Sequence, residues 1–149
     1  MKKTIAFNLG SNLGNKEQNL NLAVTKMVID FGLTSVQKSR IFKSKAMLLE
    51  DSPKEWDIEF YNISVSAKIN MEKFSPLKIL SAIKSIEKEI GRKERGKWAP
   101  REIDIDILLI EDTKIDIKDQ LTIPHYDLEN REFFVKTLNE ALPNWKEFL

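Results

Sequence analysis

The spacing of apolar residues along the chain predicts three helices. Apolar side chains recur three or four positions apart over residues 15–31, 76–90 and 131–142, which is the period of a helix with one buried face. Gly32 and Gly91 follow the first two segments, and glycine is the usual residue just beyond a helix C-terminus. Each segment is therefore predicted to bury one face.

A period of two predicts strands between these helices. Apolar and polar residues alternate over 58–69 and 103–110, and a short apolar run covers 4–9. Residues 34–43 are also predicted to be extended. Residues 46–57 have no regular period, so they are predicted to form a long loop of the kind that often carries function.

The order of these elements predicts the fold class. Strand, helix, two strands, helix and strand succeed one another, followed by an extended piece around Pro124 and the last helix. This is the order of ferredoxin-like α+β domains, and we expect an antiparallel sheet with the helices packed on one face. A length of 149 residues suits a single domain, 1–149, with an ordinary hydrophobic core.

Charge narrows the class of function. The net charge is +1, which gives no general attraction to nucleic acid or to an anionic membrane. The charges are nevertheless segregated, because residues 91–101 hold five Lys or Arg and one Glu, whereas residues 104–119 hold six acidic residues and two Lys. A metal–polyphosphate ligand suits this arrangement, and an ordinary solvated surface gives the same counts.

The absence of cysteine bears on the compartment. Disulfides and thiolate metal sites are excluded, and the reducing cytoplasm is the expected location. The first apolar run ends at Asn8, too early for a signal peptide, and no apolar run is long enough to cross a bilayer.

The segment from Gly91 to Trp98 begins like a phosphate-binding P-loop. Gly91, Gly96 and Lys97 match G-x-x-x-x-G-K, but Trp98 stands where serine or threonine is required. A P-loop also follows a strand and begins a helix, whereas this segment follows a predicted helix and precedes a strand. The sequence therefore favours another way of handling phosphate.

Asp104 and Asp106 are candidate metal ligands. Both project from one face of the predicted strand 103–110. Two carboxylates so placed repel each other unless a hard cation such as Mg²⁺ binds them, and Arg92 and Arg101 match phosphate oxygens. An ordinary solvated strand face has the same spacing. The opposite face, predicted to be turned to the core, carries Ile103, Ile105, Ile107 and Leu109.

Five further residues admit two interpretations each. Glu87 lies at the edge of a buried helical stripe, where it meets either a basic partner or a hydroxyl-rich ligand. His125, the only histidine, is either structural or a hydrogen-bond donor to a phosphate oxygen. Phe60 and Asn62 share the non-core face of a strand, and either bind a flat heterocycle or are incidental. Trp98 is either a core residue or a stacking surface.

Together these residues resemble two signatures of an enzyme family. Residues 98–107 are similar to the W-G-P-R-x-L-D-L-D-I signature of the 6-hydroxymethyl-7,8-dihydropterin pyrophosphokinases, which act in folate synthesis. Residues 124–133 resemble the family's P-H-x-x-x-x-x-R-x-F signature, and residues 10–14 resemble its N-terminal turn. The similarity extends over nearly the whole chain, in the right order.

The resemblance implies an activity, a ferredoxin-like fold and a set of site residues. The family transfers the β,γ-diphosphate of ATP to the hydroxymethyl group of the pterin, with two Mg²⁺ ions, and releases AMP. The resemblance implies that Asp104 and Asp106 hold the metal. It also implies that these two residues, together with Arg92 and Arg101, are catalytic. The residues implied for ATP are Glu87, Arg92, Trp98, Arg101, Ile107, Thr122, His125, Tyr126 and Arg131. Those implied for the pterin are Ser44, Phe60, Asn62, Trp98 and Phe133.

Several positions depart from the family pattern. Ala99 replaces a glycine, Lys45 replaces a proline, and Phe60 lacks the hydroxyl of the tyrosine often found there. The basic loop, which lies between Gly91 and Trp98, is about one residue shorter than in the family. The roles of Arg95 and Lys97 therefore stay open. The family occurs alone and fused to other folate enzymes, so we expect either a monomer or one domain of a longer protein.

The alternative to an enzyme is a non-catalytic ferredoxin-like module that binds a small ligand or single-stranded RNA. Modules that bind RNA stack bases on sheet aromatics within a basic surface. Here the net charge is near zero, and paired aspartates on the sheet repel phosphates when metal is absent. The sequence therefore favours the enzyme, with ATP and the pterin as partners and neither nucleic acid nor membrane.

Overall fold

The predicted strands form a five-stranded antiparallel sheet in a computed structural model that describes residues 1–149. A two-stranded hairpin follows, and none of the three α-helices has both the length and the hydrophobicity of a membrane span. The elements are β1 (Lys2–Ser11), α1 (Lys16–Phe31), β2 (Thr34–Lys38), β3 (Phe42–Ser44), a 3₁₀ turn (Lys54–Trp56), β4 (Phe60–Asn70), α2 (Pro76–Ile90), β5 (Asp104–Ile110), β6 (Ile115–Ile117), β7 (Leu121–Ile123), α3 (Glu132–Ala141) and a second 3₁₀ turn (Trp145–Phe148).

The order of the elements confirms the α+β, ferredoxin-like fold class. The strands of the main sheet lie in the order β2-β4-β1-β5, and β3 also pairs with β4. The predicted segment 34–43 is thus two strands, because residues 39–41 leave the sheet. There Arg40 donates hydrogen bonds from its backbone N–H and its guanidinium to Glu140 of α3. The break in the strand thus coincides with a contact to a distant helix.

The main hydrophobic core lies between the sheet and helices α1 and α2. It contains 21 buried residues, and Phe7 of β1 stacks on Phe31 of α1 with ring centroids 6.3 Å apart. The helix ends follow the sequence prediction, since Gly32 caps α1 and Gly91 caps α2. This core covers one face of the sheet and leaves the other face to polar residues and α3.

Helix α3 lies on the opposite face of the sheet, so the prediction that all helices share one face is wrong. Phe134 and Leu138 of α3 form a second, smaller buried cluster with Ala6, Leu108 and Leu109. Neighbouring side chains of a strand point to opposite faces, so these strand residues are turned away from the main core. Helix α3 therefore covers part of the second face and leaves the rest open.

A β-bulge turns Leu109 toward α3. The sequence predicts Leu109 on the same face as Ile107, but the register between β1 and β5 shifts at this point and leaves Leu108 as an extra residue. The alternation therefore restarts one position later, and the predicted direction of Leu109 is wrong. Asp104 and Asp106 precede the bulge and keep the predicted face.

A buried polar network joins α3 to the sheet. The Thr137 hydroxyl lies 2.7 Å from the Ser64 Oγ and 2.6 Å from the Phe133 carbonyl oxygen, and it accepts a hydrogen bond from the Asn8 Nδ2 at 3.2 Å. The side chains of Asn8, Ser64 and Thr137 are buried. Because buried polar groups need partners, these bonds specify how α3 docks on the sheet.

We expect Thr137→Val to lower the free energy of unfolding by about 1–3 kcal/mol, because the Asn8 amide loses a buried acceptor while the side-chain shape is kept. Urea unfolding measures the change. The control is Thr25→Val on the exposed face of α1, where the hydroxyl bonds only the Asn21 carbonyl. Its effect is expected to stay within about 0.5 kcal/mol. Equal effects of the two substitutions would contradict a stabilising role for the network.

Candidate active site

The open part of the second sheet face consists of two rows of residues across three strands. Antiparallel pairing places Asn62, Gly10 and Asp104 side by side on β4, β1 and β5. The next row consists of Ser64, Asn8 and Asp106. Neighbouring strands lie about 4.8 Å apart, so groups on β4 and β5 are separated only by the width of β1.

A narrow pocket of about 40 Å³ opens over these rows. The five residues predicted for the pterin all lie in its walls, although they come from β3, β4, the basic loop and α3. The structure thus brings the predicted set together, and the ligand stays a prediction. The pocket is lined by Asn8, Gly10, Ser44, Lys45, Met47, Phe60, Asn62, Trp98, Arg101, Asp104, Asp106, Arg131 and Phe133.

Gly10 allows the ring of Phe60 to lie against the backbone of β1. A Cβ atom at Gly10 would come within 3.1 Å of the Asn62 Oδ1 and 3.3 Å of the Phe60 Cδ1. Both distances are shorter than ordinary van der Waals contact. Any larger residue would therefore displace the two side chains that form one wall of the pocket.

Asn62 and Ser44 present complementary hydrogen-bonding groups to the pocket. The Asn62 Nδ2 donates to the Phe42 carbonyl oxygen at 3.0 Å and to the Ser44 Oγ at 2.8 Å. Both amide hydrogens are used, so the Asn62 Oδ1 is left to accept a hydrogen bond from a ligand. The Ser44 hydroxyl keeps its own hydrogen to donate. The pair thus offers one acceptor and one donor to the edge of a planar ring.

Asp104 and Asp106 lie where the narrow pocket meets a wider cleft of about 460 Å³. Trp98 and Arg131 also line both cavities. The aspartate side chains keep 33% and 29% of their surface exposed. A small ligand in the pocket and a larger one in the cleft would therefore meet beside the two carboxylates.

Eight of the nine residues predicted for ATP line the wider cleft. The exception is Arg101, which lines the narrow pocket and places its Nη1 3.8 Å from the Asp104 Oδ2. The cleft is lined by Leu80, Ile83, Lys84, Glu87, Arg92, Trp98, Asp104, Ile105, Asp106, Ile107, Ile117, Asp119, Gln120, Leu121, Thr122, His125, Tyr126 and Arg131.

The charges around Asp104 are closely balanced. Burial, and after it the repulsion by Asp106, raise the pKa of the Asp104 carboxyl group, while Arg92 and Arg101 act in the opposite direction. The Arg92 Nη1 donates to the Asp104 Oδ1 at 3.0 Å. Acids with a raised pKa in a cleft are typical of functional sites, and a cation bound here would relieve the repulsion.

The donor set at the junction fits Mg²⁺. No group of three or more His, Cys, Asp or Glu side chains is arranged to hold a metal ion by itself. Mg²⁺ is usually held by one or two carboxylates together with waters and substrate phosphates. Asp104 and Asp106 beside an open cleft supply such a set. The identity and number of the ions stay predictions.

Glu87 is engaged in a buried salt bridge. Its side chain accepts hydrogen bonds at Oε2 from the Arg92 Nη1 at 2.8 Å and from the Ile105 N–H at 2.9 Å. Burial raises the pKa of the Glu87 carboxyl group, whereas Arg92 and the Ile105 N–H lower it. Of the two interpretations, the structure therefore shows the basic partner. Glu87 holds Arg92 beside Asp104 and also lines the wider cleft.

His125 presents one ring nitrogen to the carboxylate pair. Its Nδ1 accepts a hydrogen bond from the Asp127 N–H at 3.0 Å, so the neutral ring carries its hydrogen on Nε2, 3.8 Å from the Asp106 Oδ1. Tyr126 stacks on this ring, and the Arg131 Nε donates to the Asp127 Oδ2 at 3.1 Å. These side chains form one wall of the cleft, with a donor facing the junction.

Lys97 and Arg95, two cationic residues of the basic loop between α2 and β5, make different contacts. Lys97 lies over the ring of Trp98, with its Nζ 5.8 Å from the ring centroid. Arg95 instead makes two hydrogen bonds of 2.9 Å to the carboxylate of Glu102. Arg95 lines a third cavity, behind the loop, and lies outside both cavities of the site.

Sequence reasoning missed several residues of the site. Lys45 and Met47 line the narrow pocket. Met47 lies in the segment 46–57, which has no regular period, and Lys45 lies between this segment and the predicted strand 34–43, so no local pattern indicates the direction of either side chain. Asn12 ties the N-terminal turn to the signature, because its Oδ1 accepts from the Arg101 N–H at 2.9 Å and its Nδ2 donates to the Ile58 carbonyl oxygen at 3.0 Å. Its place in the turn is the only sequence signal for this role.

Comparison with known proteins agrees with this geometry. The sequence profile of the family described as 7,8-dihydro-6-hydroxymethylpterin-pyrophosphokinase matches residues 6–143. The 2-amino-4-hydroxy-6-hydroxymethyldihydropteridine pyrophosphokinase of Aquifex aeolicus is 40% identical over 141 residues, which cover 95% of this chain and 81% of that protein. The protein of the same name in Haemophilus influenzae is 37% identical, and the match covers 91% of this chain and 82% of that protein.

The similarity extends to longer proteins. The folate synthesis bifunctional protein of Chlamydia trachomatis is 35% identical over 140 residues, which are 93% of this chain and 30% of that protein. A crystal structure of wild-type Plasmodium falciparum HPPK-DHPS, at 16% identity, superposes with a TM-score of 0.61 over 94% of this chain and 41% of that one, and supports the fold. The chain thus spans less than half of these proteins and about four-fifths of the shorter relatives. Because the profile covers residues 6–143 and relatives such as the Aquifex protein match over most of their length, the chain belongs to the 7,8-dihydro-6-hydroxymethylpterin-pyrophosphokinase family.

Proposed function

We propose that this protein transfers the β,γ-diphosphate of ATP to the hydroxymethyl group of 6-hydroxymethyl-7,8-dihydropterin and releases AMP, as a step of folate synthesis. The observation that carries the proposal is the position of Asp104 and Asp106 at the junction of a narrow pocket with a wider cleft. The aromatic and amide groups that line the first cavity suit one face and edge of a flat pterin, and the second cavity has the size for a nucleotide. The hydroxyl group and the phosphate chain would then meet beside the carboxylates.

The pterin would be held by its faces and by one edge. Phe60 and Phe133 supply aromatic surfaces in the walls of the narrow pocket, and Trp98 lines both this pocket and the cleft. The Asn62 Oδ1 and the Ser44 hydroxyl offer an acceptor and a donor, which match the alternating donors and acceptors of a pterin edge. Binding in this manner leaves the hydroxymethyl group free to reach the junction.

Transfer of a phosphoryl group needs little covalent help, so the protein acts by positioning and charge stabilisation. Two Mg²⁺ ions, held by Asp104 and Asp106, would neutralise charge on the phosphates and lower the pKa of the attacking hydroxyl. Arg92 and Arg101 are directed at the same centre and are placed to bind phosphate oxygens.

The remaining residues would hold the nucleotide. The Nε2–H of His125 faces the junction and can donate to a phosphate oxygen. No histidine base is required, because the metal ions would lower the pKa of the attacking hydroxyl. Arg131 lies at the junction itself, beside both cavities. The wall of the cleft is completed by Ile107, Thr122 and Tyr126, which suit contacts with the nucleoside. We propose that the basic loop, 92–97, closes over the triphosphate and excludes water.

A non-catalytic ligand- or RNA-binding module is not favoured. Paired carboxylates on the open sheet face would repel nucleic-acid phosphates, and relatives at 32–40% identity carry the name of the pyrophosphokinase. We expect the protein to act in the cytoplasm, either as a monomer or as one domain of a fused folate enzyme of the kind seen among its relatives.

Incubation with magnesium ATP and the hydroxymethyl dihydropterin is expected to release AMP, detected by nucleotide chromatography. We expect Asp104→Ala and Asp106→Ala each to lower kcat about 100-fold or more. Each substitution removes a ligand of the proposed metal ions, so the negative charge that develops on the phosphates loses its stabilisation. Asp30→Ala on the exposed surface of α1 is the control and should keep full activity. Formation of ADP, or full activity of both site variants, would show that the proposed chemistry is wrong.

We expect binding of a non-hydrolysable ATP analogue to require Mg²⁺. Without a cation, Asp104 and Asp106 repel the triphosphate, so titration calorimetry in EDTA should show most of the affinity lost. The double variant Asp104→Asn/Asp106→Asn removes the repulsion and should bind the analogue with little dependence on Mg²⁺. Equal affinity of the wild-type protein with and without the metal would argue against a metal site at these carboxylates.

We expect Gly10→Ala to raise the Kd for the pterin about tenfold, because the added Cβ displaces the Phe60 ring and the Asn62 amide. Overpacking of this kind costs about 1–3 kcal/mol, and about 1.4 kcal/mol corresponds to a factor of ten. Titration calorimetry measures both ligands, and affinity for the ATP analogue serves as the internal control. An unchanged Kd for the pterin would mean that this wall of the pocket does not contact it.

A further inference from the structure

Asn8, a residue outside the predicted set, lies in the floor of the narrow pocket. It occupies β1 between Ser64 of β4 and Asp106 of β5 in the cross-strand register. Its side chain is only 2% exposed, yet it belongs to the lining of the pocket. An amide in this place lies directly beside one of the two carboxylates.

The network under α3 determines which end of the Asn8 amide faces the pocket. A carbonyl oxygen can only accept, so the distance of 2.6 Å means that the Thr137 hydroxyl donates to the Phe133 carbonyl. The Ser64 hydroxyl then donates to the Thr137 oxygen at 2.7 Å. With their hydrogens used, both hydroxyls accept from the Asn8 Nδ2, at 3.2 Å for Thr137 and 3.5 Å for Ser64. The amide oxygen Oδ1 consequently points away from them.

The Oδ1 atom of Asn8 is available to a ligand. The hydrogen bonds of the Asn8 side chain within the protein are both made by Nδ2. No fully buried side-chain nitrogen or oxygen lacks a hydrogen-bond partner in the structure, so the unpaired Oδ1 is reached from the pocket. Its position next to Asp106 places a fixed neutral acceptor at the junction.

We propose that Asn8 is a positioning residue whose Oδ1 accepts a hydrogen bond from the hydroxymethyl O–H of the pterin; this assignment rests on the proposed function. A ring held at Asn62 on β4 extends across β1 over Gly10, and a substituent directed to Asp106 on β5 then passes beside Asn8 in the next row. The hydroxyl has a single hydrogen. Turning that hydrogen to Asn8 leaves the oxygen lone pairs directed at the phosphate chain in the cleft.

The test compares two ligands that differ by one hydroxyl. With magnesium and a non-hydrolysable ATP analogue present, titration calorimetry measures Kd for 6-hydroxymethyl-7,8-dihydropterin and for the 6-methyl compound. We expect wild-type protein to prefer the first compound and Asn8→Ala to reduce that preference about fivefold, since one hydrogen bond is lost while the hydroxyl oxygen still meets the proposed metal ions. In turnover, Asn8→Ala should lower kcat about tenfold and leave the KM for ATP unchanged.

The matched control is Ser66→Ala, which removes another buried hydroxyl between β4 and α3, the donor to the Ala141 carbonyl at 2.7 Å, outside the pocket. It should keep the wild-type preference and kcat. If Asn8→Ala does not fold, Asn8→Ser, which has no carbonyl in its side chain, carries the same expectation. A variant of Asn8 that keeps the full wild-type preference overturns this assignment alone. Wild-type protein that binds neither pterin overturns the proposed function.

Discussion

The site depends on two negative charges held side by side on one face of a sheet. Asp104 and Asp106 project from β5 in the same direction, and burial together with their mutual repulsion raises the pKa of Asp104. Arg92 and Arg101 offset part of that repulsion, and Glu87 in turn holds Arg92 in place. A divalent cation with a polyphosphate supplies both the positive charge and the further oxygen ligands that such a pair lacks. Under the proposed function, a metal–nucleotide complex would therefore bind better than either component alone.

The antiparallel register places this charge pair beside a second group of side chains, which is proposed to bind another ligand. Pairing of β1 with β4 and β5 places Asn62 and Asp104 on either side of Gly10, separated by the width of one strand. The lack of a side chain at Gly10 lets the Phe60 ring lie against the backbone, so a pocket for a flat ring opens next to the carboxylates. Short distances across the sheet thus bring the wall proposed to hold the pterin close to the carboxylates proposed to hold the metal and the phosphates.

Helix α3 completes the site from the second face of the sheet. Its docking through Thr137 places Phe133 in the wall of the pocket and orients the amide of Asn8. The same buried hydroxyl therefore serves stability and the shape of the site, which links the unfolding experiment on Thr137 to ligand binding. The basic loop is held in a different way, because Arg95 pairs with Glu102 outside both cavities of the site.

The sequence by itself determined the three helices, the main strands, the fold class and the shared direction of Asp104 and Asp106, because side chains alternate regularly along a strand until a bulge interrupts it. The two signatures identified the family and residues that the structure brings around two adjoining cavities. The tertiary structure alone decided the face on which α3 packs, the direction of Leu109 after the bulge, the partner of Glu87 and the role open to Asn8. Each of these features depends on a contact between residues far apart in the chain or on an extra residue in the strand register. Long-range contacts and bulges do not change the local pattern of apolar and polar residues, so the sequence pattern does not predict them.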